Sequence, residues 1–236
     1  MKSPVIVLDA AKPVGRGVVE TCLAQSRPVI AVTRDPKGLA ALRERQPEFE
    51  RQGVELLIVE GSVDDEASAE RLAGELRALE RPLAGVVLSL CGEPPRGRVL
   101  DHPARELNRR LELDLLPHQA AARQLLPLLS EAGRNGGYVV IGSAGTDHPW
   151  AGYGYRSIAA AAIAMLVRVL HNEARLLGVR VQMLAVSRPV RTDENNDCAC
   201  PGWPSATELA RQALVLVDQV ESRHPVSAMV RFAEAL

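Results

Sequence analysis

Short aliphatic runs alternate with longer mixed stretches from one end of the chain to the other. Apolar runs of about 4–8 residues bounded by turn residues read as buried strands, and apolar positions at helical spacing read as helices. The runs predict strands over 4–10 ("PVIVLDA"), 28–34 ("PVIAVTR"), 54–61, 84–92, 138–145 and 179–186, with a seventh over 226–232. Between them lie predicted helices over 15–26, 37–45, 65–79, 103–130, 155–177 and 205–220. The last begins "SATE", placing Glu208 three residues after Ser205 as a capping box requires. Strict alternation of strand and helix implies a parallel sheet covered on both faces, because right-handed crossovers put helices on each side. The predicted fold is therefore α/β, a doubly wound parallel sheet of about seven strands. With no internal repeat and no long linker, residues 1–236 read as a single domain.

Charge and cysteine usage narrow the setting. The 28 basic and 29 acidic side chains leave a net charge of -1, which gives no general attraction to nucleic acid or to an anionic surface. Arg109, Arg110 and Arg168 read as solvated helix faces. The opening "MKSPVIVLDAA" has too short an apolar run for a signal peptide, and no segment is expected to reach the ~20 apolar residues of a membrane span. Cys22, Cys91, Cys198 and Cys200 show no disulfide spacing, so a reduced, cytoplasmic setting is expected. Cys198 and Cys200 form a Cys-Ala-Cys pair, but a closed zinc site takes about four ligands and nothing nearby supplies the others; no metal is expected. The histidines 102, 118, 171 and 224 are scattered and suggest no catalytic group.

In a sheet of this kind ligands bind beyond the carboxyl ends of the strands, first at the turn after strand one. That turn is "AAKPVGRG", 10–17. Gly15 and Gly17 stand two apart where a helix begins, as a backbone that approaches a pyrophosphate requires. Ala11 stands where a third glycine would be expected, and an alanine there needs a negative φ. A hydrolase elbow at "IGSAG" fails, since Ile141 occupies the position that needs glycine.

The turn resembles the T-G-x-x-x-G-x-G loop of the short-chain dehydrogenase/reductase family, with Ala10 and Ala11 for Thr-Gly. "SLCG" at 89–92, ending in Gly92, resembles that family's N-N-A-G after strand four, and "RVLHNEARLLGVRVQMLAV" resembles its passage into strand six. The similarity runs over nearly the whole chain. It implies a Rossmann fold, NAD(P) as cofactor, a small carbonyl or alcohol as ligand, and oligomers paired through the helices over 103–130 and 155–177.

The same resemblance assigns the site. Ser143 matches the catalytic serine, Asp114 stands for the catalytic asparagine, and Pro127 matches a helix-ending proline. The family's Tyr-x-x-x-Lys falls on "RSIAA": Arg156 takes the tyrosine place and Ala160 the lysine place. An unassisted phenol with pKa near ~10 is a poor base at neutral pH, so the missing cation matters. A shift of one residue brings Tyr155 into place with Ala159 as its partner, and Tyr153 would pair with Ser157; neither gives a lysine. Ser62 replaces the aspartate near the adenine, "VS" at 186–187 replaces Pro-Gly, and Arg16 fills a position that is usually small and apolar. Arg34, after strand two, would meet a 2′-phosphate and tilts the cofactor toward NADP. The degraded tetrad implies a catalytically impaired or non-catalytic member, a homo-oligomer or the partner of an active relative. The alternative is an active NAD(P)-dependent carbonyl reductase or alcohol dehydrogenase using Ser143 and Tyr155.

Overall fold

The structure, a computed structural model, describes residues 2–90, 92, 97–133, 136–219 and 226–232. Seven parallel strands make one sheet: β1 (Val5–Leu8), β2 (Val29–Thr33), β3 (Leu56–Glu60), β4 (Gly85–Leu88), β5 (Gly137–Ile141), β6 (Arg180–Ala185) and β7 (Met229–Arg231). Their order is β3-β2-β1-β4-β5-β6-β7, so the chain winds outward from β1 in one direction and then from β4 in the other. The helices are α1 (Pro13–Ala24), α2 (Pro36–Arg51), α3 (Glu66–Ala78), α4 (Ala104–Asp114), α5 (Leu116–Glu131), α6 (Gly154–Glu173) and α7 (Ala206–Asp218). The doubly wound α/β sheet inferred from the alternation is the architecture observed.

Strands β1, β2, β4 and β5 are buried along their whole length, which is why they are aliphatic runs and not alternating ones. Residues of α1, α2 and α7 close one face around Val7, Ala31 and Val139. Residues of α3, α5 and α6 close the other around Ile6, Val86 and Tyr138.

Local chemistry sets the helix starts. Asp35 accepts from the Gly38 N–H at 2.9 Å ahead of α2, and Asp65 accepts from the Ser68 N–H at 2.7 Å ahead of α3. Pro13 and Pro36 open α1 and α2, where a missing N–H costs nothing. At α7 both halves of the Ser205–Glu208 capping box are made.

Three helix expectations need correction. The stretch 103–130 is two helices: Leu115 departs from ideal helical angles and Pro117, near the start of α5, cannot donate to the preceding turn. Pro127 does not end α5, which runs four residues further, and α2 runs on past Pro47 to seat the fully buried Phe49. The span Gly154–Leu177 is, by length and composition alone, apolar enough to cross a membrane. It is a helix of the fold nonetheless, with Ile163, Ala164 and Val167 buried against the sheet. Cys91, the Arg134–Asn135 turn, Val220 and His224 lie outside the described residues.

Candidate functional site

The strand order reverses between β1 and β4, which opens a crevice at their carboxyl ends. On the β1 side the chain turns at Asp9, whose φ of 51° is left-handed, a conformation aspartate tolerates better than most residues. This lets the Lys12 N–H donate to the Asp9 carbonyl at 2.9 Å and start α1. Gly15 lies against that same carbonyl, so closely that a Cβ would collide with it. Gly17 faces α7: a Cβ there would stand 2.8 Å from the Ala206 methyl. The two glycines thus shape the turn and pack α1 on α7. The Ala11 methyl is accommodated because Gly38, at the start of α2, leaves room for it.

The charged groups around this turn are largely committed to one another. Arg34 holds Asp64 at 2.6 Å across the ends of β2 and β3 and remains largely exposed. Burial pushes the Asp9 carboxyl up; Lys12 and Arg34 oppose the shift, and Asp64 adds to it. Arg16 reaches Asp193 at 3.6 Å, which ties the start of α1 to the loop after β6. Ser62 sits just beyond β3, partly exposed.

On the β4 side, the first residues of α6 decide what chemistry is present. Tyr155 is buried with its hydroxyl toward the Val99 carbonyl at 3.5 Å and its ring edge-on to His102. It is not among the residues that line the cavity beside Ser143. Tyr153 stacks on Trp150 with ring centroids 4.5 Å apart. The side chain that does enter is Arg156, whose Nη2 lies 3.5 Å from the Gly92 carbonyl. Asp114 accepts from the Gly92 N–H at 3.0 Å, so Arg156 and Asp114 hold Gly92 by its two backbone groups. Ala160 lies one turn beyond Arg156, buried, with a methyl where an ammonium would be needed.

The cavity these residues surround, together with Ser143 and Ala160, is only about 40 Å³, room for a few waters. His118 forms part of its wall. The Nε2–H of His118 donates to the Leu90 carbonyl at 3.2 Å, and burial holds its pKa down at about 4, so the ring is neutral. Its Nδ1 and the Arg156 Nε are buried without a partner among the described residues. Sequence reasoning passed His118 over; the one available signal is its spacing of four from Asp114.

The residues present can be tested against a dinucleotide. The N-terminus of α1, with Lys12 and Arg16 beside it, suits the phosphates. The nicotinamide end does not fit a reacting cofactor. Among the described residues no phenol and no ammonium lines the cavity beside Ser143, and no step of hydride transfer can be derived from the groups that do. No group of metal-ligating side chains occurs among the described residues either.

Sheet order, the turn after β1 and the site at the β4–β5 end define a protein with the NAD(P)-binding oxidoreductase fold. A family model described as "Enoyl-(Acyl carrier protein) reductase" matches residues 10–232, and the chain belongs to the short-chain dehydrogenase/reductase family. Among solved structures it is similar to a short-chain type dehydrogenase/reductase from Mycobacterium ulcerans, with TM-score 0.81, 20% identity, and 98% of this chain and 88% of that one covered. It is also similar to an NADPH-bound short chain oxidoreductase from Pseudomonas aeruginosa PAO1 described as containing an atypical catalytic center (TM-score 0.78, 19% identity, 97% and 94% covered). A third is an alcohol dehydrogenase from Thermococcus sibiricus complexed with 5-hydroxy-NADP (TM-score 0.76, 18% identity, 97% and 95% covered). No curated protein matches the chain by sequence.

Proposed function

We propose that this protein is a non-catalytic member of the short-chain dehydrogenase/reductase family that acts by binding, as a partner or regulatory subunit in the cytoplasm. The resemblance sets Arg156 and Ala160 at the family's tyrosine and lysine positions, and one observation supports the reading: Tyr155 stays out of the cavity beside Ser143 and turns its hydroxyl to Val99. A phenol directed at a backbone carbonyl and remote from any ammonium cannot exchange protons with a carbonyl ligand at neutral pH. The α1 N-terminus and the NADPH-bound or NADP-bound relatives support retained, weakened dinucleotide binding. Arg34, paired with Asp64 and largely exposed at the end of β2, is the group that would tilt the preference toward NADP over NAD.

The partner would be a second copy of this chain or an active relative. The support is an exposed apolar stripe, Ile158, Met165 and Val169, on α6, with Leu113 and Leu116 exposed on α4 and α5. Nothing in the charge distribution favours nucleic acid or a membrane surface.

A second reading has one observation in its favour: Ser143 and Arg156 line the same cavity, and a relative with an atypical center binds NADPH. In that case Arg156 would stand in for the missing cation in an active reductase. NADH and NADPH titrations followed by turnover assays on a panel of aldehydes, ketones and alcohols separate the two. The expected result is weak cofactor binding and no turnover above buffer. Turnover that collapses in Ser143→Ala and Arg156→Gln would establish the second reading, and turnover that collapses in Tyr155→Phe would overturn the assignment of the phenol.

A further inference from the structure

A larger cleft lies beside the small cavity and shares Thr146 with it. Its volume is about 450 Å³, within the ~300–1,000 Å³ of small-molecule sites. It opens beyond the carboxyl ends of β5 and β6 and is bounded by the loop after β5, the loop after β6 and the end of β7. From these groups we infer the chemistry of its ligand: the structure assigns this cleft to a planar aromatic monocarboxylate. The inference rests on the reading of this end of the sheet as a site of binding without hydride transfer.

The apolar part is specific. The chain has only two tryptophans and two phenylalanines, and one of each, Trp150 and Phe232, lines this cleft. Both are held in place. The Trp150 ring stacks on Tyr153, and the Trp150 backbone N–H donates to the Ser157 hydroxyl at 3.0 Å. The Phe232 N–H donates to the Ala185 carbonyl at 2.9 Å, continuing the β6–β7 ladder. Flat aromatic walls fixed before the ligand arrives favour a flat aromatic body, since little ordering is then required on binding.

The polar part sets the charge. Among the described lining residues, Arg188 and Arg231 supply two guanidiniums and Asp147 supplies one carboxylate. Arg188 is oriented by donating to the Gly202 carbonyl at 3.0 Å. Arg231 pairs with no carboxylate among the described residues. A planar guanidinium takes a carboxylate through two parallel hydrogen bonds, and Arg231 is the group in this cleft that can do so. Nothing in the sequence flags this grouping, because Trp150 and Phe232 lie some 80 positions apart and meet only when β7 adds to β6.

The test is calorimetric titration of the whole protein with 2-naphthoate and with its neutral counterpart 2-naphthamide, in the absence of any nicotinamide cofactor. The expected result is that naphthoate binds about tenfold or more tighter than the amide, and that Arg231→Gln removes the difference. Trp150→Ala is expected to weaken both probes, and Arg175→Gln, remote from the cleft, neither. Equal affinity for acid and amide, absence of heat with both, or an unchanged acid preference in Arg231→Gln would overturn the inference. None of these outcomes depends on turnover: detecting hydride transfer would overturn the non-catalytic reading and leave the assignment of the ligand to this titration.

Discussion

At the scale of the residue, the altered site leaves one group with an unusual protonation burden. His118 is buried on α5 against the cavity, its Nε2–H bound to the Leu90 carbonyl, and burial lowers its pKa to about 4. In the unfolded chain an imidazole titrates near ~6.5. Between those two values the unfolded state binds the proton that the folded state refuses, so stability falls as pH drops from about 6.5 toward 4. His118→Gln, which keeps a donor for Leu90 and loses the titration, is expected to be less sensitive to acid. Denaturant unfolding at about pH 7 and about pH 5 checks this: the wild type should lose more stability than the variant over that interval. An equal loss in both would mean that the imidazole takes up its proton in the folded state. This burial was not legible beforehand. A helical spacing of four from Asp114 suggests a shared face, but the break at Leu115 and the depth of the cavity follow only from the packing of α5 on β4.

At the scale of the element, the clearest sequence signals were those written in side chain-to-backbone chemistry. "SATE" announced α7, and both hydrogen bonds of its capping box are present: Glu208 N to Ser205 Oγ at 3.2 Å, and Ser205 N to Glu208 Oε2 at 2.7 Å. Ser205→Ala is expected to cost about 1 kcal/mol. The Ser205 backbone and hydroxyl hydrogen bonds hold the Glu208 carboxyl below its usual 4.5. A depressed carboxylate contributes stability that is present above about 4.5 and lost as pH falls through the depressed value. The difference in thermal midpoint between wild type and Glu208→Gln should therefore be full at neutral pH and shrink in acid. A difference that does not change with pH would show that the box contributes nothing through charge. Less legible were the proline-containing helices. A proline in sequence marks a breaker, yet Pro47 and Pro127 sit inside continuous helices, because neighbouring turns and buried residues such as Phe49 and Leu129 hold those segments in register. Strand positions could be read because the central strands are fully buried and mostly aliphatic; the site depended on one-residue register, on which alone the resemblance sets Arg156 and Ala160 at the family's tyrosine and lysine positions.

At the scale of the whole molecule, α6 carries two faces with different tasks. Ile163, Ala164 and Val167 are buried in the core on the sheet side. Ile158, Met165 and Val169, spaced by seven and four so that they form one stripe, are 38%, 56% and 45% exposed. Leu113 and Leu116, 51% and 46% exposed, stand on the adjoining α4 and α5. Isolated exposed leucines need no explanation, but apolar residues grouped in one stripe on a helix mark a candidate contact surface. Sedimentation is expected to give a dimer or larger for the wild type. Met165→Glu is expected to weaken self-association on the order of a hundredfold, because a carboxylate without a partner would be desolvated in the contact. Its circular dichroism should be unchanged, since Met165 is exposed in the single chain and its replacement leaves the core intact. A wild type that sediments as a monomer, while the stripe remains open, would instead point to a different chain as the one that covers it, and mixing with an active relative would then restore the larger species only when Met165 is intact.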